Sequence, residues 1–567
     1  MKKIFKRKQR YQVIEPDEIL IDAANIPDFD TTRLEGRLER PVSVDVFKSL
    51  YVLIFIIGAV FFYTLFQLQV VKYTSLSARA ESNRLASSLI VAERGLLLDR
   101  NGVPLAENTS NTSSGGASTT LRVASTTRSY SLGAAASALV GYVSYPKVDQ
   151  NGFWYQEETK GIVGAEALYD AELSGENGIS LAETNASGKI VSGSIVRTAK
   201  SGQDIKLSID AGIQKSLYDA IRARAEMYKW RGGSGVIMDI KTGELYAMVS
   251  YPSFDPGVMS LGEPRSAVNA ILNDTRAPLL DRAVSGLYTP GSVVKPFVAL
   301  AALQEKIISP NKQILSTGSI SVPNPYDPSK PSVFKDWKAH GLVDMRQALA
   351  VSSDVYFYEV GGGFKDQRGL GIGAIEKYMR LFGFGSSTNM PLPGEEIGVI
   401  PNPEWKANVF DGERWFLGNT YHTAIGQYGF QVTVMQLVRA VSALVNGGTL
   451  VTPVIRTGEQ GLREPISITT ENTAIVMEGM RMAVTEGTAR ALEVPGIKVG
   501  AKTGTAETGA RKEFINSVLI GFYPYEKPRY AFAIVMERAP AGTGQGAPAV
   551  MGDVLRWIVE NRPEMTK

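Results

Sequence analysis

The chain has 567 residues, enough for more than one domain, and 44% of them are apolar, an ordinary share for a globular protein. With 60 basic and 57 acidic side chains the net charge is +3, so nothing in the charge balance implies nucleic acid. Two histidines and no cysteine argue against a Cys/His metal centre, and no metal or cofactor is implied.

The first 48 residues are a polar tail whose start is basic (Lys2, Lys3, Lys6, Arg7, Lys8, Arg10). Residues 49–71 then run 23 positions without a charge, long enough to span a bilayer as a helix. The basic start places the tail in the cytoplasm; Glu15, Asp17 and Glu18 weigh little in that rule. The apolar run is too long for a signal-peptide core and the tail too long for its leader. The expectation is a single-pass anchor with everything after it outside the cytoplasm.

Residues 72–90 read as a polar helix leaving the membrane. The segment from Arg94 through Asp99, Arg100, Asn101 and Gly102 reads as a strand ending in an Asn-Gly turn. Residues 109–128 are rich in Ser, Thr, Asn and Gly, a loop or flexible insert. The glycine-rich stretch 150–205, with short runs such as 193–197, reads as a small β-rich module. The pattern turns helical at Ile213, Leu217, Ile221 and Ala225. Two strand-like runs, 235–239 and 245–249, flank Lys241, Thr242 and Gly243, a hairpin with Gly243 in the turn. A helix-rich middle follows, then strands at 497–503, 517–523 and 530–536, and an amphipathic helix over 550–561. This is an α/β (α+β) pattern: one antiparallel sheet, built from the hairpin and the last three strands, with helices on both faces.

Three short motifs in fixed order carry the chemistry: Ser292 and Lys295, Ser352-Ser353-Asp354, and Lys502-Thr503-Gly504. Ser292 follows Pro290 and Gly291 and opens the apolar run 296–303, a helix start. Residues i and i+3 share a helix face, so Lys295 is expected to reach Ser292 Oγ. Other Ser-to-Lys spacings are decoys: Ser144 to Lys147 encloses Pro146, and Ser309 to Lys312 encloses Pro310. The early Lys241-Thr242-Gly243 is a turn and precedes the serine. Together the three motifs describe serine acyl transfer with a lysine base and no catalytic histidine. Lys295 serves as base only when neutral; burial and the charge of Lys502 favour that, and Asp354 opposes it.

From residue 47 onward the chain resembles a class B penicillin-binding protein. The likeness rests on the three motifs and on landmarks in family order. These are Arg94-Gly95 with Asp99 to Gly102, Gly161 with Gly164 and Glu166, residues 251–256, Pro393-Gly394-Glu395 with Gly398 and Pro401, Trp415 with Gly418 and Thr420, and Ile425-Gly426-Gln427. It implies a cytoplasmic tail (1–48), a transmembrane helix (49–71), a non-catalytic pedestal (72–205) and a transpeptidase domain (206–567). It further implies a peptidoglycan D,D-transpeptidase of the bacterial cytoplasmic membrane. That enzyme would acylate Ser292 with a D-Ala-D-Ala stem peptide, be blocked by β-lactams, and work beside a multi-span glycan polymerase.

In that reading Ser352 relays protons, Asp354 orients Lys295, and Lys502 and Thr503 take the terminal carboxylate. Gly504 leaves room for close approach, the Ser292 and Thr505 N–H groups form the oxyanion hole, and Trp415 lines the substrate site. Asp354 favours the elongation (penicillin-binding protein 2) type, whereas septal types carry Asn there. A D,D-carboxypeptidase or β-lactamase-like hydrolase would need a water-activating group that the sequence does not display. A scaffold that only activates a polymerase would not need the intact triplet. Tyr428 stands where the family has glycine, and Gly257 where Asn is common. His340 and His422 are expected to be structural.

Overall fold

The computed structural model describes residues 43–74, 76, 85–110, 126–149, 154–184, 190–324, 327, 329–509 and 511–567. It divides into two units, 1–84 and 85–567.

In the first unit helix α1 (Val44–Phe66) continues through a π turn (Gln67–Val71). Within Val44–Val71 an 18-residue window reaches a mean hydropathy of 2.3, and α1 buries no side chain. A helix satisfies its own backbone polar groups, which hydrocarbon demands of a single spanning segment. It begins at Val44 rather than at 49, because Asp45 suits the positive end of the helix and pairs with Lys48 at 3.4 Å. The charges that ended the apolar run in the sequence therefore open the helix.

The polar helix expected over 72–90 is corrected in the second unit. Residues 73, 74 and 76 are helical, but Leu85–Ile90 is strand β1. The segments β2 (Leu97–Leu98), β3 (Pro104–Ser110), β4 (Thr126–Tyr130), β5 (Gly178–Thr184), β6 (Ile190–Arg197) and β7 (Ile205–Lys206) complete two small sheets. Their strand orders are β1-β5-β6 and β7-β2-β3-β4. β1 is a strand because its backbone pairs antiparallel with β5, from Leu85 opposite Glu183 to Ile90 opposite Gly178. Of the polar stretch 109–128, residues 111–125 lie outside the described residues, and its ends pair as β3 and β4.

A buried ion cluster holds this module together. Glu166, fully buried, accepts from Arg94 Nε at 2.6 Å and Arg128 Nε at 2.8 Å. The guanidinium groups also donate to the carbonyls of Thr159, Glu166 and Gly95. The glycines of the same motif are forced by contact: a Cβ on Gly161 would lie 1.9 Å from Glu166 O. Asp99 and Arg100 tie the module to the rest. Asp99 accepts from Ala211 N at 3.0 Å, and Arg100 pairs with Glu244 at 2.9 Å while lying over the Tyr246 ring.

Helix α2 (Ala211–Tyr228) starts at Asp210, whose carboxylate accepts from the N–H groups of Gly212 and Ile213. The hairpin β8 (Gly232–Asp239) and β9 (Leu245–Tyr251) turns at Gly243, φ +84°. The helical middle includes α3 (Lys295–Gln304), α4 (Met345–Val351), α5 (Asp354–Gly362), α6 (Leu417–Ala424), α7 (Val434–Val445) and α8 (Thr470–Thr485). Strands β10 (Gly500–Thr508), β11 (Phe514–Tyr523) and β12 (Tyr530–Pro540) precede α9 (Ala547–Asn561).

The main sheet is antiparallel in the order β9-β8-β12-β11-β10, so the hairpin and the last three strands pair as expected. Its period of two sorts the core. Ala531, Ala533 and Val535 of β12 pack on the face of α3 and α7, and Phe532, Ile534 and Met536 on the face of α2 and α9. The first of the three late strands starts at Gly500 rather than 497, after a turn at Gly496, φ +89°.

Removing Glu166 leaves the buried Arg128 without a carboxylate and Arg94 with Asp170 alone, at 2.8 Å. Glu166→Ala should lower the unfolding free energy by about 3–5 kcal/mol, whereas Lys200→Ala, at an exposed pair with Glu176, should cost about 1 kcal/mol or less. Denaturant unfolding of the detergent-solubilised protein compares the two.

Candidate active site

Ser292 lies in a 3₁₀ turn (Gly291–Val294) that runs directly into α3. Three glycines allow the turn to sit where it does. Gly291 has φ +58°, and its N–H donates to Gly426 O at 3.0 Å. A Cβ on Gly426 would meet Gly291 O at 2.2 Å, and one on Gly504 would meet Pro290 O at 2.7 Å. The turn is thus wedged between β10 and the end of α6. The room left by Gly504 is filled by the serine turn itself rather than kept open for a ligand.

Lys295 is completely buried. Its Nζ donates to Asp354 Oδ1 at 2.6 Å, to Ser352 O at 2.8 Å and to Ser352 Oγ at 3.4 Å. The hydrogen bond to Ser292 Oγ expected from the i, i+3 spacing is not formed. The carboxylate of Asp354, on the neighbouring helix, takes the ammonium instead. Ser292 is half-buried and its hydroxyl makes no hydrogen bond among the described residues.

The Ser-Ser-Asp motif is a helix junction. Ser352 ends α4 in the left-handed region, φ +60°, a costly conformation for a non-glycine residue. Ser353 caps α5, its Oγ accepting from Tyr356 N at 3.3 Å, and Asp354 is the first residue of that helix. The junction sets Ser352 Oγ between the two lysines, 2.8 Å from Lys502 Nζ.

Lys502 is also completely buried and donates to Thr503 O at 2.8 Å. Burial first, then the nearby charge of Lys295, pushes its pKa well below the ordinary lysine value, with Asp354 opposing. The sequence points to such a depression at Lys295; burial produces one at Lys502. Thr503 Oγ1 is 2.5 Å from Thr488 Oγ1, and Thr505 is exposed on β10, the end strand of the sheet.

Asp336 is the residue that the sequence reading passed over. Its carboxylate accepts from Ser353 Oγ at 2.8 Å, Val355 N at 3.0 Å and Ser316 Oγ at 3.2 Å, clamping the motif from behind. Burial pushes its pKa up, but the N–H groups of Val355 and Asp354 and the Ser353 hydroxyl outweigh that and hold it below the usual range. Its visible signal was the cluster around Trp337 and His340. His340 Nε2 lies 3.4 Å from Asp336 Oδ1.

Trp415 is not brought to the lysines by any contact. Its Nε1 donates to Thr420 Oγ1 at 2.8 Å, and its ring meets Tyr428 edge-on. Tyr428 has φ +64°, and the rings of Trp405, Phe410 and Trp415 surround it. His422 packs against Phe334 and Tyr358, and burial lowers its pKa. A cavity of about 910 Å³ beside Phe334, Leu417 and Tyr421 touches none of the three motifs. The site is marked by its buried lysines and not by the cavity's size.

Comparison with known proteins follows the same outline. Residues 233–556 match the penicillin binding protein transpeptidase domain, and residues 118–207 the penicillin-binding protein dimerisation domain. The chain is 30% identical over 71% of its length to the peptidoglycan D,D-transpeptidase MrdA of Acinetobacter baumannii, spanning 61% of that relative. It is similar to the crystal structure of Pseudomonas aeruginosa PBP2 in complex with WCK 5153, at 27% identity and a TM-score of 0.66, covering 84% of this chain and 98% of that one. A structure described as the coordination of polymerization and crosslinking by a peptidoglycan synthase complex matches at 26% identity and a TM-score of 0.67, over 90% of this chain and 97% of that one.

Folding depresses the Lys502 pKa, so the unfolded chain binds more protons between the depressed and the ordinary value. Stability from this group therefore rises with pH across that window. The stability difference between wild type and Lys502→Met should move in favour of wild type from neutral pH toward the ordinary lysine value, by at most about 1.4 kcal/mol per pH unit. Denaturant titrations of both proteins at several pH values measure it.

Proposed function

The chain belongs to the penicillin-binding protein transpeptidases, and from that premise we propose that it is a serine D,D-transpeptidase. It cross-links peptidoglycan stem peptides during elongation. The observation that carries this reading is the meeting of two buried lysines at Ser352 Oγ beside the Ser292 turn.

An extended stem peptide lies along the free edge of β10 as an added strand. Its terminal carboxylate faces Thr503, with Lys502 behind. That negative charge favours protonation of Lys502, which burial alone disfavours. Lys295 passes a proton to Lys502 through Ser352 Oγ and becomes the base for Ser292. Asp354 holds Lys295 in place throughout. Ser292 Oγ bonds to the penultimate D-Ala carbonyl carbon, and the oxyanion is received by the N–H groups of Ser292 and Thr505, worth roughly 3–4 kcal/mol per donor. The C–N bond breaks, the relay returns a proton to the departing D-alanine amine, and an amine of a second stem peptide displaces Ser292. A β-lactam enters as the donor and stays on the serine.

Asp354 in the second motif, and the likeness to a PBP2, support elongation over septation. Helix α1 anchors the enzyme as a single pass with the basic N-terminal tail in the cytoplasm and the catalytic unit outside. The likeness to a peptidoglycan synthase complex supports a multi-span glycan polymerase as partner. Trp415 acts through the aromatic cluster at the rim.

Fluorescent penicillin should label the wild type with a slowly decaying adduct and leave Ser292→Ala unlabelled. Lys295→Ala should slow acylation about 10²–10⁴-fold. Rapid loss of the adduct with antibiotic turnover would mean a hydrolase, and an unlabelled wild type would overturn the proposal.

A further inference from the structure

A second cavity, of about 460 Å³, opens at the far end of β10. Among its lining residues are Arg231, Arg282, Tyr288, Thr508, Glu537 and Arg538. Thr508 is three residues past Thr505 on the same strand, about 10 Å along it. Tyr288 is four residues before Ser292, so both walls belong to chain segments that also carry the Ser292 site.

Its charges do not cancel. Glu537 is engaged by Arg282 at 2.9 Å, by Arg231 at 3.5 Å and by the Tyr288 hydroxyl at 3.3 Å. Arg538 is left over. Its guanidinium makes no hydrogen bond or ion pair among the described residues and lies 4.7 Å over the Phe514 ring. The residue is exposed and has φ +49°, unfavourable for arginine.

The cause is a β-bulge. Ile515 pairs with Ala539 and Ser517 with Met536, so Glu537 and Arg538 together oppose Asn516, whose Oδ1 accepts from Arg538 N at 2.9 Å. Bulges re-aim side chains and recur beside functional sites. In the same cavity the Thr508 hydroxyl is buried without a partner, a feature that calls for an explanation.

We propose that this cavity is a subsite for a carboxylate on the donor stem peptide, two or three residues upstream of the scissile bond, with Arg538 and Thr508 as its ligands. The inference rests on the transpeptidase reading of β10. With the terminal carboxylate at Thr503 and the scissile carbonyl between Ser292 and Thr505, upstream residues of an extended peptide run toward Thr508. An arginine with no carboxylate partner among the described residues matches a carboxylate in both charge and fork geometry. The subsite would read the peptide beyond its D-Ala pair, which the three motifs do not touch.

The test uses the full-length protein in detergent and two synthetic pentapeptides ending in D-Ala-D-Ala. One carries a free branch carboxylate upstream, and the other a carboxamide at the same position. Release of D-alanine gives kcat/KM for each. Wild type should prefer the carboxylate by about ten- to a hundredfold, the range of a charged hydrogen bond. Arg538→Ala should bring the ratio close to one, and Arg538→Lys should restore part of it. A purely structural role for Arg538 would lower both peptides equally. That result, or a wild type indifferent to the carboxylate, would overturn the subsite. Acylation by benzylpenicillin on the same preparations reports on Ser292 and its lysines. Wild type that binds penicillin but shows no preference loses the subsite alone, and wild type that does not react loses the transpeptidase reading with it.

Discussion

Two lysine side chains with no solvent exposure converge on one serine hydroxyl. Burying a charge is costly unless it is paired, and one carboxylate, Asp354, stands beside the pair. Lys295 takes that carboxylate at 2.6 Å, and Lys502 is pushed toward its neutral form. The two lysines arrive on different elements, a helix start and the end strand of a five-stranded sheet. The site therefore exists only while the helical middle and the sheet are held at one spacing, and much of the catalytic unit serves that spacing.

Glycines set the distance and polar clamps keep it. Gly291, Gly426 and Gly504 let three backbone segments meet where a single methyl group would collide with a carbonyl oxygen. Asp336 fastens the Ser352 junction by accepting from Ser353 and Val355. The smaller module applies the same physics at its centre, where Gly161 clears the path and Glu166 joins two arginines. Arg100 and Asp99 then carry that rigidity to the hairpin and to α2.

Unfavourable backbone conformations occur at several points among the described residues, three of them in the segments described above. Ser352, Tyr428 and Arg538 all have positive φ without being glycine. Each is held by something specific: a junction of two helices, a ring cluster, or a bulge opposite Asn516. Such strain persists only where the surroundings over-determine it. At Tyr428 the three surrounding rings stabilise what a glycine would adopt freely.

The three motifs, the hairpin turn at Gly243 and the antiparallel order of the main sheet were legible because each depends on spacing within a few residues or on a period of two. Helix α1 was legible as a span but not in its start, since Asp45 and Lys48 look like an end when only apolarity is read. Strand β1 was hidden because its partner β5 is more than 80 residues away, and pairing rather than composition makes it extended. The sequence by itself determined the candidates for the chemistry: Ser292, Lys295, Ser352 and Lys502 are singled out by type and order. Only the tertiary structure decided that burial pushes Lys502 toward its neutral form, that Asp336 clamps the junction, and that Arg538 has no carboxylate partner among the described residues. Burial, long-range hydrogen bonds and backbone strain belong to the packed chain, and no local window of residues contains them.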